Sequence, residues 1–109
     1  MILATPIYMG NVSSNAKIFI DRLYAVMNSP DTYNVHGKKL SVLASQAAID
    51  PPMYEYIKHN LETTADIFRG MGFEVEDVEL LIGNAKEGII ESKEDQMNKA
   101  IMVGNKIVR

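Results

Sequence analysis

The residues best suited to chemistry in this chain lie in one segment, Thr5–Ser13, directly after a short apolar run. Hydroxyl and amide side chains at Thr5, Asn11 and Ser13 can contact the polar edge of a ligand, and Tyr8 can stack on its flat face. Gly10 lets the backbone approach such a ligand closely. These residue types favour ligand binding over acid–base catalysis. Spacing alone favours a simpler interpretation, a strand-to-helix connection in which Ser13 caps the helix.

The elements around this segment predict where it lies in the fold. Ile2–Ala4 has the apolar pattern of a strand buried on both faces, and Thr5-Pro6 ends it because proline has no N–H for a sheet ladder. A turn follows around Gly10-Asn11. An amphipathic helix then runs from Ser14 to Met27 and ends at Asn28-Ser29-Pro30-Asp31. The order strand, loop, helix places the loop at the carboxyl end of a parallel strand, where open α/β sheets bind ligands.

A family resemblance is carried by two segments of the chain. The first is Thr5–Ser13, which reads Thr-Pro-Ile-Tyr-Met-Gly-Asn-Val-Ser, and the second is Phe-Ile-Asp-Arg-Leu, which begins six residues later. It resembles the NADPH-dependent FMN reductase and iron–sulfur flavoprotein branch of the flavodoxin-like family, whose pattern is Ser/Thr-Pro-Val/Ile-Tyr-x-Gly-x-Val/Met/Ile-Ser/Thr and then Phe/Leu-Ile-Asp-Arg. The resemblance implies an α/β fold, a flavodoxin-like three-layer sandwich. Only its C-terminal part is expected here, as three parallel strands with helices in one partial domain over residues 1–109.

The same resemblance implies a flavoprotein oxidoreductase with FMN as cofactor and NAD(P)H as co-substrate, in which FMN takes up hydride and passes electrons to a small acceptor. It implies no catalytic side chain and no metal ligand, because the cofactor performs the difficult step. Ser45 and Gln46 stand where the family has its second ring-contacting loop, although Ala47-Ala48 replaces the glycines common there. A polar loop before Pro51 is an equal alternative for this second segment. The cofactor-binding residues implied are Thr5, Pro6, Ile7, Tyr8, Met9, Gly10, Asn11, Val12, Ser13, Ser45 and Gln46.

The rest of the chain predicts two more strand–helix units. Leu40–Ser45 reads as a central strand, and Phe73–Ile82 opens with the alternation of an edge strand. Strands separated by helices indicate a parallel sheet with right-handed connections. A helix beginning at Pro51 has the apolar stripe Met53, Tyr54, Ile57, Leu61, Ala65 and Phe68. A last helix, preceded by a weak capping box at Ser92–Asp95, has the stripe Met97, Ala100, Ile101, Gly104, Ile107 and Val108.

Composition excludes several classes of function. The chain has 109 residues, with 11 Lys and Arg against 14 Asp and Glu, a net charge of −3 that argues against nucleic-acid binding. The absence of cysteine excludes disulfides, thiol catalysis and the cluster of the iron–sulfur flavoproteins. His36 and His59 are too isolated for a zinc site and are expected to be solvated. No run is long enough to span a membrane, and a cytoplasmic location is expected.

The front half of the family pattern is absent, including the loop that holds the FMN phosphate. The first strand then lies at an open edge, so we expect a homo-oligomer formed through this strand and its neighbouring helices. Three interpretations remain open: an FMN-dependent reductase, a truncated assembly or binding module without FMN, and a fragment of a longer reductase. Fold ancestry does not decide among them.

Overall fold

The structure, a computed structural model, describes residues 1–23, 25, 35–49 and 51–108, without the side chains of residues 51–54. The end predicted for the first helix, with Tyr24 and Met27, and the side chains of Met53 and Tyr54 lie outside this description. The described elements are β1 (Ile2–Tyr8), β2 (Asn11–Val12), α1 (Ser14–Arg22), β3 (Lys39–Ser45), α2 (Pro51–Met71), β4 (Glu74–Leu81), a 3₁₀ turn (Ile89–Ser92) and α3 (Glu94–Ile107).

The four strands form one sheet in the order β2-β1-β3-β4. β1, β3 and β4 are parallel, with Ile2 opposite Ser41 and Lys39 opposite Glu74. The predicted α/β class, the central position of β3 and the edge position of β4 are therefore confirmed. The two-residue β2 was not predicted, and it pairs antiparallel with the end of β1.

The prediction that Thr5-Pro6 ends the first strand is wrong, because β1 continues to Tyr8. Met1 faces β3, since its terminal ammonium donates to the Lys39 carbonyl (2.7 Å) and its C=O accepts from the Ser41 N–H (3.0 Å). Alternation along the strand then turns the nitrogen of Pro6 away from β3. A proline at such a position costs the ladder no hydrogen bond.

The main core lies on the sheet face that α1 and α2 cover. Leu40, Val42 and Ala44 of β3 are almost fully buried there, against a stripe of α2. α1 connects β1 to β3 and α2 connects β3 to β4, so both connections run in the same direction along the sheet. Because such connections are right-handed, both helices lie on the same face. The predicted stripe of α2 is confirmed where its side chains are described, by the buried residues Ile57, Leu61, Ala65 and Phe68.

The other face carries α3, which packs on β3 and β4. Lys106 donates a hydrogen bond to Asp77 of β4 at 2.9 Å, and this carboxylate raises the pKa of the Lys106 ammonium above its usual value. The predicted capping box is wrong, since the residue before the helix is Lys93 and it makes no side-chain cap. Ser92 instead lies in the 3₁₀ turn, where its hydroxyl donates to the Ile89 carbonyl.

The predicted apolar stripe of α3 is confirmed in part, since Ala100, Gly104 and Ile107 are half-buried. The buried residue of this helix is Val103, which the predicted stripe omits, whereas Met97, Ile101 and Val108 are exposed. Lys106 lies on the side of the helix nearest β4, where it reaches Asp77. The most apolar flank of α3 consequently points away from β4.

Candidate functional site

β1 and β2 are joined by a two-residue hairpin turn, Met9-Gly10. Tyr8 pairs with Asn11, and the central residues both have positive φ, 50° at Met9 and 79° at Gly10. These values match a type I′ turn, in which asparagine or glycine is preferred at the first central position. Met9 therefore holds an unfavourable left-handed conformation while its side chain is fully exposed. Backbone strain in an exposed loop is a reason to look for a role at this turn.

Replacing Met9 with asparagine is expected to raise the free energy of unfolding by about 1 kcal/mol, since asparagine tolerates the left-handed region better than methionine. Urea denaturation measures the change. Met102→Asn is the matched control, because Met102 is an exposed methionine within α3. This control should lower stability by about 0.5 kcal/mol through helix propensity. Equal effects of the two substitutions would contradict the strain assigned to the turn.

Thr5 and Ser13 close the base of the hairpin. The Thr5 hydroxyl is buried, donates to the Pro6 carbonyl (2.8 Å) and accepts from the Ser13 N–H (3.0 Å). The Ser13 hydroxyl lies 3.3 Å from it and accepts from the Ala16 N–H (3.2 Å), which caps α1 as predicted. Both hydroxyls thus have partners inside the protein. Their structural role is to hold the hairpin against the start of α1.

A second polar group lies where β3 and β4 end. The Asn84 amide donates to the Ser45 hydroxyl (3.2 Å) and to the side chain of Gln96 in α3 (3.0 Å). Gln46 is buried, its N–H donates to Leu81, and its side-chain amide donates to Ala48. The side-chain oxygens of Gln46 and Asn84 are buried without a hydrogen-bond partner. An ordered water commonly satisfies a buried acceptor of this kind.

The loops after β1 and β3 lie side by side, because Pro6 and Ser45 are opposite each other in the parallel ladder. Three large side chains with apolar surface are exposed at this edge: Tyr8 at the end of β1, Met9 in the turn that follows, and Ile49 in the loop after β3. A Cβ added at Gly10 would meet no atom within 4 Å, so the space beside this residue is open. The edge therefore offers apolar surface and an unobstructed stretch of backbone.

The predicted site residues separate into groups with different surroundings. Ile7 packs on the core, and Asn11 and Val12 line a groove of about 760 Å³ between α1 and α2. A smaller cavity of about 320 Å³ lies on the opposite sheet face. Its lining includes Ala4, Pro6, Leu43, Ser45, Ile90 and Ala100.

Asn84 and Gln96 were missed by the sequence reasoning. Asn84 could have been found, because it follows Gly83 at the carboxyl end of the third parallel strand. Gln96 carried no such signal, since only the packing of α3 brings it to this edge.

Comparison of the chain with protein-family models, with curated proteins and with solved structures gave no match. Among the described residues, no helix is long and apolar enough to cross a membrane. That same part of the chain holds no group of three or more metal-ligating side chains. His36 and His59 are exposed, as predicted.

The carboxyl edge suits the ring of FMN better than its phosphate. The exposed tyrosine, the exposed apolar side chains and the open Gly10 backbone match a flat aromatic system. A phosphate needs clustered N–H groups or a cation. The described part of this edge supplies neither, since Lys93 donates to the Ile82 and Gly83 carbonyls and α3 begins with Glu94 and Asp95.

Proposed function

We propose that this chain is a flavodoxin-like protein of the FMN reductase kind, which binds the isoalloxazine ring of a flavin at the carboxyl edge of its sheet. The observation that supports this most directly is the pairing of Pro6 with Ser45, which sets the chain segments after β1 and β3 side by side. The family pattern in Thr5–Ser13 assigns ring contact to the first of these loops. NAD(P)H is the proposed reductant and a small molecule the acceptor.

The chain's own residues would position the ring. Tyr8 offers an aromatic face, Met9 and Ile49 exclude water, and Gly10 lets the backbone approach. Thr5 and Ser13 act indirectly, because their hydroxyls hold the hairpin in place. Bound flavin supplies the hydride chemistry, so no side-chain acid or base is needed.

The test is a titration of the purified protein with FMN and with riboflavin, followed by quenching of flavin fluorescence and confirmed by equilibrium dialysis. Both flavins should bind with affinities within about threefold of each other, because no phosphate cradle exists among the described residues to add charge-assisted hydrogen bonds. Tyr8→Ala should weaken binding by about 2- to 10-fold through lost ring contact.

Met102→Ala is the control for that substitution. Met102 lies on α3 and is 58% exposed, close to the 65% of Tyr8, and it lines neither of the two cavities, so its loss should leave flavin affinity unchanged. NADPH consumption with added FMN then tests the reductase step. Failure of both flavins to bind would overturn the proposal. Tighter binding of FMN than of riboflavin by tenfold or more would overturn ring-only recognition.

A second candidate function is a flavin-free assembly or binding module. It is favoured by one observation: no described strand lies beside the first half of β1 on the side away from β3, and a protein partner could pair with that edge. Absence of flavin binding together with stable self-association is the result that would support this candidate over the first.

A further inference from the structure

A chain of hydrogen bonds leads from the end of β4 through α3 to Ser45. The Ile82 carbonyl accepts from the side-chain amide of Gln96 (2.9 Å), and the oxygen of that amide accepts from the Asn84 side chain (3.0 Å). The same Asn84 nitrogen donates to the Ser45 hydroxyl oxygen (3.2 Å). The backbone N–H of Asn84 also donates to the Gln46 carbonyl (3.0 Å). Asn84 thus joins α3 to the segment after β3.

The direction of this chain of hydrogen bonds is fixed at its Ile82 end. A backbone carbonyl can only accept, so the Gln96 amide must turn its nitrogen to Ile82 and its oxygen to Asn84. That oxygen requires a donor, so Asn84 presents its nitrogen, whose two hydrogens serve Gln96 and Ser45. Rotating either amide alone by 180° would bring two acceptor oxygens into contact. The network therefore assigns both amide orientations.

The Ser45 hydroxyl receives a hydrogen bond and keeps its own hydrogen for another acceptor. Among the described residues, none accepts that hydrogen. Ser45 lines the cavity of about 320 Å³ together with Ala4, Pro6 and Leu43. Thr5 also lines it, but the Thr5 hydroxyl donates to the Pro6 carbonyl. Ser45 is therefore a hydrogen-bond donor in surroundings that are otherwise largely apolar.

We propose that Asn84 and Gln96 are positioning residues for the flavin site, and that they make the Ser45 hydroxyl donate to a hydrogen-bond acceptor of the bound ring. This inference rests on the proposed function. Tyr8 and Pro6 are two residues apart on β1 and lie on the same face of the strand, so a ring in contact with Tyr8 lies close to the cavity.

A donor whose direction is fixed before the ligand binds distinguishes the two oxidation states of the ring. The isoalloxazine ring carries oxygen and nitrogen acceptors, and these gain electron density when the ring is reduced. A preorganised donor stabilises such charge without the cost of reorienting. The Ser45 hydroxyl should therefore favour the reduced ring over the oxidised ring, and it should do so only while Asn84 holds it.

Anaerobic titration of Ser45→Ala with oxidised and with reduced riboflavin tests the donor. Affinity should fall about threefold for the oxidised form and about tenfold for the reduced form, because hydrogen bonds to acceptors of higher negative charge are stronger. The midpoint potential of the bound flavin falls as a result. Ser45→Thr keeps the hydroxyl and should match the wild type. Ser41→Ala is the matched control, since Ser41 is a fully buried serine on the same face of β3 that does not line the cavity.

A double-mutant cycle tests whether Asn84 acts through Ser45. Asn84→Ala alone should reduce the preference for reduced riboflavin by about threefold, the same loss of preference as in Ser45→Ala, because the hydroxyl is no longer held in direction. In the Ser45→Ala background, Asn84→Ala should leave this preference unchanged. Gln96→Ala should act in the same direction by a smaller factor. Additive effects of Asn84→Ala and Ser45→Ala on the preference would overturn the positioning role.

The hydrogen-bond chain can also be measured without flavin. In NMR spectra, the side-chain amide hydrogens of Asn84 should exchange slowly with water in the wild type and faster in Gln96→Ala. Equal losses of affinity for oxidised and reduced riboflavin in Ser45→Ala would overturn this inference and leave the proposed function standing. So would a loss in Ser41→Ala as large as that in Ser45→Ala. Failure of the wild type to bind either form would overturn both.

Discussion

Replacing Phe68 with alanine is expected to lower the free energy of unfolding by about 3–5 kcal/mol. Phe68 is fully buried in α2, and its ring meets that of Phe73 edge to face, with centroids 5.9 Å apart and planes at 84°. The substitution removes the ring contact and leaves a cavity at the junction of α2 with β4. Urea denaturation followed by circular dichroism measures the loss.

Ile67→Ala is the matched control on the same helix. Ile67 lies beside Phe68 in sequence but faces the groove between α1 and α2 and is 45% exposed. Its truncation should cost about 1 kcal/mol or less, since less apolar surface returns to water. Comparable losses for the two variants would contradict the position assigned to Phe68 in the core.

Replacing Thr5 with valine is expected to cost about 1 kcal/mol, because the Ser13 N–H and the Pro6 carbonyl, both in part-buried hydrogen bonds, each lose the Thr5 hydroxyl as a partner. Valine keeps the shape of threonine, so the change isolates the hydroxyl. Thr5→Ser retains that hydroxyl and should preserve most of the bonding. Denaturation of both variants provides the comparison.

Flavin titration of the same variants separates the structural role of Thr5 from ligand contact. The structure gives the hydroxyl partners inside the protein, so Thr5→Ser should bind flavin like the wild type. Thr5→Val should weaken flavin binding only to the extent that it disturbs the hairpin. A loss of affinity in Thr5→Val without any loss of stability would contradict the structural role.

Hydrophobic periodicity predicted correctly the elements that bury their apolar residues against the core. The stripe of α2 and the apolar strand β3 repeat at the helix and strand periods, and each packs the side that its pattern indicates. α3 follows its pattern only in part, because Ala100, Gly104 and Ile107 are half-buried while Met97 and Ile101 are exposed. Local periodicity indicates which side of a helix is apolar but not how far that side turns toward the sheet, and here Val103 is the buried residue.

The end of β1 shows why local rules failed at one point. Proline was expected to stop the strand, but its effect depends on which side of the strand the missing N–H would have faced. That side is set by the register against β3, which is a property of the pairing and not of the local sequence. The same register places Ser45 beside Pro6. Neither the sequence of β1 nor that of β3 predicts this register by itself.

By itself, the sequence determined the α/β class, the parallel order of strands and helices, the cap at Ser13 and the placement of a polar loop at a strand's carboxyl end. These follow from local propensity and from the periods at which apolar residues recur. Tertiary structure alone decided the Met9-Gly10 turn, the rotation of α3 and the meeting of Asn84 with Gln96. Each of these depends on contacts between residues that are distant in sequence or on strand register, and neither is encoded by local spacing.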